Sequence, residues 1–230
     1  MTNHDQASKP PNPRRPVVPG SGVITALDAV QADGDSRIIK VEGHPIATLL
    51  ESDVVRLGLC LDGVLTPELA EQIAFHHECR LAWKASIQRL TRSGRSVLDI
   101  RNGLQRRGHE EAVIDRVVSA LKHDGYLDDA QFAASAAASL ARRSPASASF
   151  IENRLLQHGI AAEEAEKAAK NAAGDPVDAA TALAAKALRS LDSCSPETRI
   201  RRIHGRLARR GFEADVIAEA LRRVDLDISE

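Results

Sequence analysis

The sequence predicts a mainly α-helical protein, with three tandem three-helix repeat modules forming an elongated stack behind a small N-terminal extension of β-ribbon and short helix. Two observations carry this. An isoleucine, a leucine four residues on and a glycine four further recur as Ile100-Leu104-Gly108, Ile151-Leu155-Gly159 and Ile203-Leu207-Gly211; a fixed period of roughly fifty residues marks one unit stacked several times. Hydrophobic residues make up 43% of the chain and aromatics only 3%. Ala, Leu, Val and Ile must therefore fill the core, a mixture that favours helices.

Residues 1–20 hold Pro10, Pro11, Pro13, Pro16 and Pro19 with few apolar side chains, so they lack the hydrophobic centre of a signal peptide and read as a disordered arm. Residues 21–66 form the extension. Runs at 23–30 and 37–41 are β-prone and separated by Asp33-Gly34-Asp35; a third run, 46–50, follows the turn-like Glu42-Gly43-His44-Pro45. Two or three antiparallel strands are expected, leaning on the helices that follow because a strand pair is marginal alone. Ser52 or Asp53 is the expected cap of a short helix through Leu57.

The first module, residues 67–125, opens on Thr66-Pro67-Glu68, a cap followed by proline at the first helical position. Leu69, Ile73, Leu81, Ile87 and Leu90 then mark one long helix or two abutting ones, ending near Ser93-Gly94. Ser96 with Asp99 forms a capping box for the helix of Ile100 and Leu104, and Gly108 takes the left-handed turn that stops it. Glu110 and Glu111 start the next helix, whose apolar face is Val113, Ile114, Val117, Val118 and Leu121. In the second module, residues 126–174, Asp128 with Gln131 opens a helix through Arg143, Ser144-Pro145 begins another, Gly159 breaks it, and an Ala-rich run continues to Ala173. The third module, residues 175–230, uses Asp175-Pro176 and Ser195-Pro196-Glu197 as starts. Aligned on the glycines, the first and third copies agree at every apolar slot, with Val216, Ile217, Ala220, Leu221 and Val224 in the third. The middle copy has Glu164, Ala165, Ala168, Ala169 and Ala172 there, so a thinner core is expected.

Formal net charge is −1, but the charge is polarised. Residues 20–79 carry mostly acids, whereas 80–143 carry an excess of Lys and Arg. Cys60, Cys79 and Cys194 are widely spaced and odd in number, fitting reduced thiols rather than a disulfide framework. No run approaches the ~20 apolar residues of a membrane span; a soluble, cytoplasmic monomer is expected. The chain has no phosphate-cradling Gly-rich loop, nucleophile elbow or framed carboxylate pair, so no catalytic residue and no cofactor is expected, and the protein is read as a non-enzyme. His76, His77 and Cys79 lie close in sequence but lack a second ligand cluster, so no metal site is assigned.

Arginine is the remaining chemistry. Arg199, Arg202, Arg206, Arg209 and Arg210 fall within about 100° of one helical face, beside the apolar Ile200, Ile203 and Leu207. Arg101, Arg106 and Arg107 stand in the first module, and Arg142 and Arg143 end the first helix of the second. A solvated face with arginines favourable near a helix C-terminus is one reading. Several on one face without acids favour the other, a surface for anions or an acidic protein. Aromatics do not interleave with the basic run, which argues against base-stacking recognition of single strands.

The strings Ser96-Val97-Leu98-Asp99-Ile100, Leu104-Gln105-Arg106-Arg107-Gly108, Val113-Ile114 through Leu121, and Gly125-Tyr126-Leu127-Asp128-Asp129-Ala130-Gln131-Phe132-Ala133, in this order, resemble the core signature of the RecX family, regulators of RecA recombinase. The resemblance covers residues 23–224. It implies a curved stack of three-helix modules that lodges in the groove of the RecA–DNA filament, blocks its extension or promotes its disassembly, and dampens strand exchange and ATP hydrolysis in DNA repair, homologous recombination and the SOS response. The implied partner is the RecA filament, with single- and double-stranded DNA met more weakly through phosphates. Tyr126, Leu127, Asp128 and Phe132 read as structural. Because helix–glycine–helix also looks like a helix-turn-helix, a stand-alone DNA-binding protein is the alternative.

Overall fold

The computed structural model describes residues 17–31, 33–191 and 194–224; the expected arm thus lies outside the described residues as far as residue 16. Contacts divide the chain into two compact units, 1–94 with 100–126, and 95–99 with 127–230.

In the first unit, β1 (Gly22–Val30), β2 (Asp33–Val41), β3 (His44–Leu50) and β4 (Val64–Leu65) form an antiparallel sheet in the order β3-β2-β1-β4. The fourth strand was not expected. Its two residues are too short to show alternation, and they become a strand only by pairing with Gly22 and Val23. Asp33-Gly34-Asp35 does not turn the chain; β2 already begins at Asp33. The next reversal is as expected: Glu42 and Gly43, at φ 50° and 80°, supply the two positive angles of a tight hairpin between Val41 and His44. Helix α1 (Glu51–Arg56) starts before its expected caps, with Leu50 in the cap position and no side-chain cap bond. Asp53 instead pairs with Arg56 and with His76 Nδ1 at 3.3 Å.

Helix α2 (Pro67–Leu90) is one continuous helix, capped by the Thr66 hydroxyl accepting the Leu69 N–H at 3.3 Å. Its Ala70 and Ile73 close the sheet core of Ile24, Ile39, Val41, Ala47, Leu49 and Leu65. Polar bonds fix this docking. His77 Nδ1 accepts the Thr48 N–H at 2.8 Å, and the Arg80 guanidinium donates twice to the buried Ser36 hydroxyl, at 3.1 and 2.9 Å. The ribbon leans on α2 as its marginal size requires. Helices α3 (Val97–Gln105) and α4 (Glu111–His123) follow, α4 burying Val113, Ile114, Val117, Val118 and Leu121. Beneath them His109 Nδ1 meets the Glu78 carboxylate at 2.9 Å, with side-chain exposures of 3% and 1%.

The second unit holds α5 (Asp129–Arg143), α6 (Ala148–Gln157), α7 (Ala162–Ala173), α8 (Pro176–Leu188), α9 (Pro196–Ala208) and α10 (Ala214–Arg223). With α2, α3 and α4 these make three three-helix modules. Asp128, Asp175 and Ser195 cap α5, α8 and α9 with their side-chain oxygens. Helix α6 is capped by Ser147, whose hydroxyl accepts the Phe150 N–H at 3.1 Å, so it starts later than Ser144-Pro145. The α5–α7 core is Ala133, Ala137, Ala146, Ala165 and Ala169 around Ile151, Leu155 and Ile160, whereas α8–α10 bury Leu183, Ile203, Leu207, Phe212, Ile217 and Leu221. The middle core is the thinner one.

All three repeat glycines end their helix in the same way. Gly108, Gly159 and Gly211 have φ of 86°, 77° and 78°, and the next residue's N–H returns to the leucine five back: His109 to Leu104, Ile160 to Leu155 and Phe212 to Leu207, each at 3.3 Å. This is a Schellman cap, in which the returning residue packs against that leucine. Two of the glycines also receive another helix. A Cβ on Gly159 would lie 2.8 Å from Leu98, at the start of α3, and one on Gly211 would lie 2.5 Å from the Ser147 hydroxyl and 3.2 Å from Phe150, at the start of α6. Further bonds hold these joints: His158 Nδ1 to Asp99 at 3.0 Å, the Val97 N–H to Asp129 at 2.9 Å, and the Ser147 N–H to the Arg210 carbonyl at 3.0 Å. The capping box at Ser96 and Asp99 is present, with N–H donations at 3.1 and 3.4 Å.

Gly125, at φ 74° with nothing within 4 Å of an added Cβ, separates the two demands on these glycines. Gly125→Ala should cost only the left-handed strain, about 1 kcal/mol. Gly211→Ala adds the clash and should cost about 1–3 kcal/mol more. Urea unfolding midpoints of the two variants check this, and equal losses would reject the joint.

Candidate anion-binding site

Helix α9 buries Ile203 and Leu207 and carries Arg199, Arg201, Arg202 and Arg206 on the rest of its surface, with Arg209 and Arg210 just beyond its end. The arginines divide by angle. Arg199 and Arg210 border the apolar face and are half-buried. Arg199 Nε donates to the Leu191 and Cys194 carbonyls at 3.1 and 2.9 Å, holding the α8–α9 connection, and Arg210 lies 5.1 Å over the Phe150 ring. Both guanidinium groups are engaged within the fold.

Arg202, Arg206 and Arg209 point away from that face and are exposed. Together with Arg201 and Gly205, and with Ala187, Ser190 and Leu191 at the end of α8, they line a cleft of about 440 Å³. Among the described residues no carboxylate pairs with these four arginines. Arg202 makes one weak contact, from Nη1 to Cys194 Sγ at 3.5 Å. Asp192, in the connection beside Leu191, lies outside the described residues.

The other candidates are dispersed. Arg101 is paired with Glu111 and, at 2.6 Å, with Asp115. Arg106 is exposed and Arg107 half-buried at the Gly108 turn, and Arg142 and Arg143 are exposed in the last turn of α5. Arg201 escaped the sequence reading because it sits about 100° from Arg202, outside the stripe. The signal that could have pointed to the cleft is Gly205, a small residue between flanking arginines against which Arg209 lies, its Nη1 3.4 Å from where a Cβ would stand. The α8 wall carries no signal in the α9 sequence.

His76, His77 and Cys79 do not converge. His77 faces β3, His76 faces Asp53 and Arg56, and among the described residues no group of three His, Cys, Asp or Glu is placed to hold a metal ion. Burial lowers the pKa of both histidines, and burial together with the Glu78 charge pushes the Cys79 thiol up to about 12, leaving it an unreactive thiol. Cys60, Cys79 and Cys194 are free. No described helix is long and apolar enough to cross a membrane.

Residues 173–221, which contain the cleft, match the family model described as RecX, third three-helix domain. The chain is 27% identical over 157 residues to a protein named Regulatory protein RecX from Bacillus licheniformis, covering 68% of this chain and 60% of that relative's length. It is 24% identical over 205 residues to the protein of the same name from Geobacillus kaustophilus, covering 87% of this chain and 76% of the relative. In fold it is similar to a crystal structure of regulatory protein RecX, with TM-score 0.68 and 20% identity over 84% of this chain and 96% of the other. It is also similar to that of RecX from Lactobacillus salivarius, with TM-score 0.53 over 65% and 97%.

The histidines set an acid limit. His77 has a folded pKa below its unfolded value of about 6.5, so its contribution to stability is complete above that pH and is lost as pH falls below it, where the unfolded chain binds more protons. Urea midpoints should fall from about pH 7 to about pH 5, and His77→Gln, which keeps an acceptor for Thr48, should show a shallower decline. Identical acid slopes would reject this.

Proposed function

We propose, on the premise that this chain belongs to the RecX family of regulatory proteins, that it is a non-enzymatic modulator of RecA recombinase, lodging in the groove of the RecA–DNA filament and reducing its extension, ATP hydrolysis and strand exchange. The observation that carries the reading is the set of cations on the three-helix modules without carboxylate partners among the described residues: the cleft arginines, with Arg106, Arg142 and Arg143 exposed elsewhere. Repeated modules suit a repeated target, because each need bind only weakly when all are joined in one chain; linkage raises overall avidity by ~10²–10⁴. Arg101, Arg199 and Arg210 serve mainly to hold the modules, and the domain limits at 67–125, 126–174 and 175–230 are the units in which contact would be made. Phosphates of single- and double-stranded DNA supply a weaker, salt-dependent share of the affinity.

Added to RecA on single-stranded DNA, the chain should lower the steady rate of ATP hydrolysis at equimolar ratio. An unchanged rate at equimolar and higher ratios would overturn the proposal.

A further inference from the structure

We infer that the α8–α9 cleft is a discrete phosphate site, taking two or three adjacent phosphate groups and ignoring the bases attached to them. The inference rests on the regulatory reading above and names the chemistry of one site within it. Arg201 to Arg209 spread four cations along about 12 Å of helix. The cleft is open to solvent, and its volume of about 440 Å³ is room enough for a few phosphate groups lying along the helix.

The lining decides between a phosphate chain and an acidic peptide. Guanidinium groups donate and never accept; the Ser190 hydroxyl, which donates to the Ala187 carbonyl at 2.7 Å, leaves its oxygen as a single neutral side-chain acceptor beside four cations. A peptide entering the cleft would bring backbone N–H groups for which the arginine wall has no acceptor. A phosphodiester or polyphosphate chain brings oxygen acceptors only, two or more on each phosphorus, matched to the guanidinium fork. No aromatic side chain lines the cleft, so no base is stacked or read there. Gly205 lets the Arg209 guanidinium lie against the helix, its Nη1 3.4 Å from where a Cβ would stand, and Arg199 and Arg210 are turned out of the cleft by their bonds within the fold.

The test uses the full chain and a fluorescein-labelled thymidine strand of about twelve nucleotides, read by anisotropy, with inorganic diphosphate, ATP and poly-glutamate as competitors. Arg206→Ser with Arg209→Ser should weaken strand binding on the order of tenfold and flatten the log–log salt dependence by ~1.4, the share of two phosphate contacts on a single strand. Gly205→Leu keeps every cation but pushes the Arg209 guanidinium off the helix surface, and should weaken binding without that change in salt slope. Displacement by diphosphate and ATP supports the inference and identifies the free-nucleotide source as sharing the site; binding of the strand with no displacement by ATP supports it with the strand backbone as the source. Undiminished strand binding in both variants would overturn it, as would displacement by poly-glutamate at lower charge concentration than diphosphate. Circular dichroism confirms that the variants keep their helicity. Recombinase ATPase is read separately, so a failed cleft and a failed regulatory role give different patterns.

Discussion

A backbone reversal with φ near +80° follows the middle helix of each module, and the rest of each module is oriented from it. Without a Cβ, glycine enters that region at little cost, and the N–H of the residue after it returns to the leucine carbonyl five back. The returning side chain is thereby driven inward, so Ile160 and Phe212 become core residues although each follows a turn. At Gly159 and Gly211 the missing Cβ does a second service, letting the first turn of α3 or α6 approach within van der Waals distance. One small residue thus sets both the bend within a module and a seat for another helix.

Much of this was legible because it is local. A cap depends on residues three apart, and the boxes at Ser96, Asp128, Asp175 and Ser195 need nothing distant to be recognised. The apolar face of α4 likewise follows from its own period. What escaped depends on partners remote in sequence. β4 is a strand only because β1 lies beside it, and Asp53 stands inside α1 rather than at its cap, paired with His76 on α2. The displaced start of α6 has the same origin: Ser147, not Ser144, has its N–H held by the Arg210 carbonyl, so the helix begins where that joint places it.

The arginines show the limit most plainly. By period alone five of them share one face of α9 and are equivalent. In the fold they are not, because the two nearest the apolar seam are within reach of a carbonyl pair and an aromatic ring, while the others look onto the end of α8. A stripe that reads as one surface is divided into a structural border and an open cleft. Arg201, off the stripe, joins them in lining the cleft. Arg101 is removed in another way, by carboxylates on α4 that its own helix could not reveal.

The buried meeting of His109 with Glu78 occupies the place held by Ile160 in the second module and Phe212 in the third. Chains of repeated units are prone to assemble out of order, one unit's helix settling into another's seat. An imidazole settling into an all-aliphatic seat would lose its acceptor, at a cost of about 1–3 kcal/mol, and Glu78 facing an isoleucine would be left worse off still. The pair therefore works as an address label. It makes the first unit recognisable to its own helix α2 and to no other, so that a repetitive sequence still folds with its parts in a single sequence of places.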